Sequence, residues 1–203
     1  MGEGVSKKMI RAAVIGNIGS GKTFVAKLFK CPVFNADDEV KIIYKTNKAC
    51  FNKLKKILPS YIKSYPIKKK ELVEAINKDK KNLKKISYIV HPLVRQKMNL
   101  FLKKNKKKKI VLLDIPLLIE NKLNKRGDIL IFIKSKKSKI LHRLKKRPNF
   151  NLEFLKNLQK NQIMLSKKIK LANYIVHNNY PANIMKKKIN ILKKRILYER
   201  NST

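Results

Sequence analysis

Gly16-Asn17-Ile18-Gly19-Ser20-Gly21-Lys22-Thr23 narrows the possible folds of this chain more than any other stretch. Its spacing is G-x-x-x-x-G-K-[ST], and each fixed position has a physical reason. The glycines let successive backbone N–H groups turn inward around phosphate oxygens, and a following helix presents its positive end. The Lys then reaches the terminal phosphates, and the Thr offers a hydroxyl to Mg²⁺. Such a loop needs a strand ahead of it and a helix behind. An apolar run over 10–15 precedes Gly16, and Val25, Leu28 and Phe29 recur after it at helical spacing. The pattern arises by chance on the order of once per hundred chains of this length at average glycine usage. Here three of only six glycines fall inside it. A purely structural glycine turn is the competing reading.

The rest of the chain continues the same alternation. Short apolar runs over 33–34, 110–113, 129–133 and 174–176 read as strands, and continuous apolar strands are the mark of a parallel sheet buried on both faces. Helical patterns separate them, which predicts an α/β fold with five parallel strands flanked by helices. Between the second and third runs lie about 70 residues, 39–109, with helical spacings such as Val40, Ile43, Tyr44 and Phe51, Leu54, Leu58, and no convincing strand. A second helical excursion covers 138–168, with Ile140, Leu141 and Leu144 among charges. At 203 residues the chain fits one domain with an insertion, large enough to bury roughly 70% of its unfolded surface.

Composition constrains the setting. Cys31 and Cys50 have no metal-ligand spacing, and two thiols predict a reducing compartment, the cytoplasm by default. No stretch reaches the ~20 apolar residues of a membrane span, and the first eight residues are expected to be disordered or an expression remnant. The formal charge of +40 suggests a polyanion such as nucleic acid. The favoured reading is different: the excess is nearly all Lys, spread from Lys7 to Lys194, beside abundant Ile and Asn, and these three have AT-rich codons. No specific nucleic-acid partner is expected, although anionic ligands should be attracted in a salt-sensitive way.

The loop calls for a nucleoside triphosphate, and phosphoryl transfer needs a carboxylate for the nucleophile's proton, a metal, and cations over the transferring group. Asp37 or Asp38, just past the second strand, lies where ligands of open α/β sheets bind, with helix capping as the alternative role for Asp37. Asp114 follows the third strand, in position for a metal, and Pro116, Leu117 and Leu118 then form an apolar corner. Arg143 and Arg147 are four apart, so both leave one helix face, in a chain that otherwise chooses Lys. His91-Pro92-Leu93-Val94-Arg95 closes the large insertion, with Pro92 read as a helix start.

GNIGSGKT, the NAD after strand two, HPLVR, DIPLLIE, HRLKKR and ANYIVHNN together resemble the dephospho-CoA kinase family, in its order and spacing from about 10 to 194. The resemblance implies a P-loop kinase that moves the γ-phosphoryl group of ATP, with Mg²⁺, to the 3′-hydroxyl of dephospho-CoA, completing coenzyme A. It implies one kinase domain over 9–203, with a core of about 9–39, 106–137 and 169–203, a helical CoA domain of about 40–105 and a lid of about 138–168. Asp37 would be the general base. Gly16, Asn17, Ile18, Gly19, Ser20, Gly21, Lys22, Thr23 and Phe24 would line the phosphates, with Asn178 on the adenine side and Thr23 and Asp114 at the metal. His91, Arg95, Leu117, Leu118 and Glu120 would hold the acceptor, and Arg143 and Arg147 would close on the phosphates. The chain is expected to be a monomer or small homo-oligomer. It departs from the family in two places: Asn35 stands where the family has the first acid of Asp-x-Asp, and Tyr180 ends an Asn-x-Gly pattern. A nucleoside kinase and a nucleic-acid-dependent NTPase remain as alternative readings.

Overall fold

The structure, a computed structural model, describes residues 9–146 and 162–200. The expectations for residues 1–8, for Arg147 and for the middle of the lid fall outside the described residues. By internal contacts the chain divides into two units, Met1–Asn35 with Asn105–Thr203, and Ala36–Lys104.

The first unit is built on five parallel strands, β1 (Ile10–Gly16), β2 (Val33–Asn35), β3 (Ile110–Asp114), β4 (Ile129–Lys134) and β5 (Tyr174–His177). Their order is β2-β3-β1-β4-β5, which puts β1 in the middle. Each strand runs one residue past the apolar run that predicts it, because the hydrogen-bond ladder carries on into the polar residue that follows. Side chains alternate across the sheet. Ile10, Ala12, Val14, Ile110, Leu112, Ile131 and Ile133 share one apolar cluster with residues of α1 (Lys22–Leu28) and of the last described helix, Ala182–Glu199. Ala13, Ile15, Val111, Leu113 and Phe132 are buried as well. A strand buried on both faces has no polar outlet except its ends.

The second unit is helical: α2 (Ala36–Thr46), α3 (Lys48–Ile57), α4 (Lys69–Lys78) and α5 (Lys81–Lys104). Ile43, Cys50, Leu54, Leu58, Ile62, Leu72, Ile86 and Val90 form its own core. Asn47 caps α3, its side chain accepting from the Cys50 N–H at 2.8 Å. Pro92 does not start a helix as its position predicted; it lies inside the 24-residue α5. A proline there removes one helical hydrogen bond, to the carbonyl four residues back at Tyr88. Tyr88 is 84% exposed, so that end of the helix face is open to water. The remaining helices of the first unit are α6 (Lys137–Lys145), α7 (Leu165–Leu171) and α8 (Ala182–Glu199).

One charge is set into the sheet itself. Arg11, on β1, donates to Asp128 at 2.7 Å and to the Leu123 carbonyl at 2.9 Å, with 11% and 5% of the two charged side chains exposed. Asp128 also accepts from the Lys125 N–H at 2.8 Å. Asp128→Ala leaves the Arg11 guanidinium with no carboxylate in a nearly dry site, a change that costs about 3 to 5 kcal/mol. Asp128→Asn keeps an acceptor and costs less. Urea unfolding of both variants beside the wild type checks the order, with the m-value unchanged.

Candidate active site

The loop after β1 takes the conformation its glycines allow. Gly16 has φ +143° and Gly21 has φ +88°. A Cβ on Gly16 would stand 2.6 Å from the Ile133 carbonyl oxygen, and one on Gly21 would stand 2.2 Å from Asn178 Nδ2. Neither position has room for a side chain. Asn17 closes the loop's start, its Oδ1 accepting from the Ile18 N–H at 2.8 Å while its carbonyl accepts from the Ser20 N–H at 3.2 Å. Lys22, the first residue of α1, turns its ammonium back over the loop to the carbonyls of Asn17 at 3.0 Å and Gly16 at 3.3 Å. Phe24, two residues on, is 39% exposed.

A second group forms beside the loop. Thr23 Oγ1 donates to Asp114 Oδ2 at 2.6 Å, and Asn35 Nδ2 donates to the same oxygen at 2.8 Å. Asp114 is only 3% exposed. Sheet register explains the meeting, for Asn35 and Asp114 are partners across β2 and β3. The orientation of the amide follows from chemistry, since a carboxylate only accepts. The donor set also suits Mg²⁺. That ion is held by one or two carboxylate or hydroxyl oxygens, with water and substrate phosphates completing its shell. Thr23 and Asp114 supply such oxygens, and no cluster of three or more acidic, His or Cys side chains occurs among the described residues.

Arg143 does not stand alone in solvent. Its Nη1 donates to the Ser135 hydroxyl at 3.0 Å and to the carbonyls of Ser20 at 3.2 Å and Gly19 at 3.4 Å, and its Nη2 donates to the Asn178 carbonyl at 3.1 Å. Asn178 is 1% exposed and donates its amide to the Ser20 carbonyl at 2.8 Å. Arg143 and Asn178 are thus brought to the phosphate loop, and Ser135, which carries no motif, joins them. The only sequence signal for Ser135 is its place just after an apolar strand. Tyr180, which stands where the family pattern has glycine, is not among the positive-φ residues, and its ring lies 4.7 Å from the Lys188 ammonium.

The turns after β3 pack inward. Leu118 is 1% exposed and Leu117 is partly buried. Glu120 pairs with Lys168 of α7 at 2.7 Å and accepts from the Ile163 N–H at 3.2 Å. That pair was invisible in sequence, since nothing marks Lys168 among so many lysines.

In the helical unit Asp37 is exposed and sits in the first turn of α2, which starts at Ala36, so it lies within the helix and not at its N-cap. Asp38 pairs with Lys41 at 2.7 Å on the surface. His91 and Arg95 are one turn apart on α5. Packing around the His91 ring, and then the charge of Arg95, hold its pKa below the ordinary imidazole value, so the ring is neutral at pH 7. Arg95 lines a shallow groove of about 620 Å³ with Pro92, Gln96, Asn99, Leu100 and Lys103.

A parallel sheet with its phosphate loop on the central strand, and an acid one strand over, defines a P-loop fold of the small-kinase type. A crystal structure of a Thermus thermophilus protein superposes on it with a TM-score of 0.75 at 25% identity, covering 95% of this chain and 98% of that one. The sequence model of the family "Dephospho-CoA kinase" matches residues 10–183. Among curated relatives, a dephospho-CoA kinase of Brucella melitensis is 32% identical over 174 residues, covering 83% of this chain and 86% of its own. One of Wolbachia pipientis is 30% identical over 169 residues, 81% of this chain and 86% of its own. The chain belongs to the dephospho-CoA kinase family.

The Asn35 contact yields a test. Asn35→Asp sets a second carboxylate against Asp114, and like charge raises the upper pKa of the pair in the folded state above the unfolded value of about 4. The penalty is therefore absent below about pH 4, grows as the unfolded carboxylate ionises, and is complete above the raised folded pKa, at about 1.4 kcal/mol for each unit of rise. Thermal unfolding of variant and wild type from pH 4 to 8 should show a gap that widens with pH and narrows when Mg²⁺ is added. An equal gap at both ends of the range contradicts the contact.

Proposed function

We infer that this chain phosphorylates the 3′-hydroxyl of the ribose of dephospho-CoA, with ATP as donor, and so forms coenzyme A. The observation that carries the reading is a fully built phosphate loop on a chain that matches the family across residues 10–183. In the transfer the ribose oxygen forms a bond to the γ-phosphorus as the bond to the β-γ bridging oxygen breaks, and ADP leaves. The ribose proton passes to a carboxylate.

Asp37 is the proposed acceptor of that proton. Two features support it: it is exposed, and it follows β2 by two residues, at the edge where ligands of open α/β sheets bind. Lys22, whose ammonium lies over the carbonyls of Gly16 and Asn17, is proposed to reach the terminal phosphates, where a charge-assisted hydrogen bond is stronger than one to a neutral carbonyl. Thr23 and Asp114 would hold Mg²⁺, which neutralises charge on the phosphate oxygens. Gly16 to Phe24 and Asn178 would take the nucleotide, and Arg143 and Arg147 would balance the charge of the transferring group.

For the acceptor we propose the helical domain over about 40–105. A neutral His91 can both donate and accept a hydrogen bond, and Arg95 supplies a cation on an open groove. Leu117 and Leu118 would form an apolar wall. Glu120, with its carboxylate held by Lys168, would act by fixing that turn. The lid over about 138–168, a monomeric or small homo-oligomeric state and a cytoplasmic setting complete the proposal. No helix among the described residues is long and apolar enough to cross a membrane.

Incubation with ATP, Mg²⁺ and dephospho-CoA should give a product heavier by one phosphoryl group, identified by mass as coenzyme A. ATP hydrolysis stimulated by RNA, without that product, would overturn the reading. Asp37→Asn should lower kcat by roughly 10² to 10⁴, the usual worth of a general base, with the Kd for ATP unchanged. Wild-type turnover in that variant removes Asp37 from the role.

A further inference from the structure

The Ser20 carbonyl oxygen collects donors from three separate elements. Asn178 Nδ2, after β5, stands 2.8 Å away; the Ser135 hydroxyl, after β4, stands 3.1 Å away; Arg143 Nη1, on α6, stands 3.2 Å away. The group is cross-braced, since Arg143 also donates to the Ser135 hydroxyl and to the Asn178 carbonyl, while the single Ser135 hydroxyl proton is shared between the Ser20 carbonyl and the Asn178 carbonyl at 3.0 Å. Asn178 is fixed in turn by its own backbone, whose N–H donates to the Lys134 carbonyl at 2.8 Å. One neutral carbonyl rarely needs three donors for its own solvation, as it has two lone pairs.

The consequence lies on the other side of the peptide. Across a planar trans peptide the carbonyl and the next N–H point in opposite directions. The Asn178 amide and the Arg143 guanidinium, with the shared Ser135 hydroxyl, hold the Ser20 carbonyl on one side and so turn the Gly21 N–H to the other, away from the clamp. Rotation of this peptide is otherwise cheap, because Gly21 tolerates either sign of φ. The clamp and the glycine also fit each other, for any Cβ at position 21 would meet Asn178 Nδ2 at 2.2 Å.

We propose that Ser135 is a positioning residue for the nucleotide phosphates: with Asn178 and Arg143 it clamps the Ser20 carbonyl and so presets the Gly21 N–H toward the bound anion. This rests on the nucleotide-binding half of the proposed function and not on the identity of the acceptor. Ser135 touches no phosphate itself. It acts by removing the freedom of one peptide before the ligand arrives, and preorganised donors bind developing charge without a cost of reorientation.

Calorimetric titration of the full chain with ADP, inorganic tripolyphosphate and adenosine tests it. Ser135→Ala should weaken ADP and tripolyphosphate alike by roughly three- to tenfold, the share of one misaligned hydrogen bond, and leave adenosine unchanged. Ser135→Thr, which keeps the hydroxyl, should restore both. A loosening of the fold would instead lower the melting temperature and weaken all three ligands together, and that outcome overturns the proposal, as does wild-type tripolyphosphate binding in Ser135→Ala. Should Ser135→Ala fail to fold, Asn178→Ala with tripolyphosphate decides in its place: several-fold weaker binding supports the clamp, and wild-type binding overturns it. Because tripolyphosphate carries neither adenosine nor an acceptor, a failed coenzyme A assay leaves this result readable.

Discussion

A parallel sheet covered on both faces leaves polar groups nowhere to go but the strand ends, and in this chain the carboxyl edge takes nearly all of them. Gly16 ends β1, Asn35 ends β2 and Asp114 ends β3, while Ser135 and Asn178 each follow directly on β4 and β5. Every strand thus delivers one residue to the same edge, and sheet register decides which of them meet. Asn35 and Asp114 are paired by the β2–β3 ladder, and the Asn178 N–H continues the β4–β5 pairing to the Lys134 carbonyl. The site is therefore a property of strand order and register first, and of individual side chains second.

This arrangement explains why so much of the fold was legible. Continuous apolar runs mark doubly covered strands, and the loop motif fixes which of them is followed by phosphate chemistry. The runs stopped one residue short each time, because apolarity reports burial while the ladder extends as far as backbone partners allow. The residue missed by that rule is the one with chemistry: Gly16, Asn35 and Asp114 each sit there. Lys22, Thr23 and Arg143 could be named from spacing and Asn178 from the family resemblance, but not their partners in the fold. Lys168 gave no signal, and Ser135 only its place after a strand. A lone serine after a strand is ordinary, and one lysine cannot stand out in a chain with 52 basic residues. Pro92 misled for a related reason: proline's local preference is a weak prior, and a long helix with an exposed face overrode it.

The scarcity of acids sharpens the reading of those present. With 12 Asp and Glu against 52 Lys and Arg, there are too few carboxylates for most cations to pair with one of their own. Yet the buried carboxylates are matched individually. Asp128 answers Arg11, Glu120 answers Lys168, and Asp114 answers two neutral donors. Exposed pairs such as Asp38 with Lys41 stabilise by little. The net charge therefore bears on long-range attraction of anions, which salt screens within about 10 Å at 0.1 M, and not on the fold.

Asn35 brings these threads together. An acid at this position would stand at hydrogen-bond distance from Asp114 in a site only 3% open to water, where two negative charges repel unless a cation lies between them. An amide in its place donates where an acid would repel, so the Asp114 carboxylate has two donors before any cation or phosphate arrives. The Ser20 clamp works in the same sense, for it fixes a peptide that a ligand would otherwise have to turn. Both devices shift the cost of ordering from binding to folding. What the amide gives up is one negative charge toward a divalent ion, leaving Asp114 as the single carboxylate of the pair. At the proposed cation site the Thr23 hydroxyl and the substrate's own phosphates would then make up a larger share of the ligands.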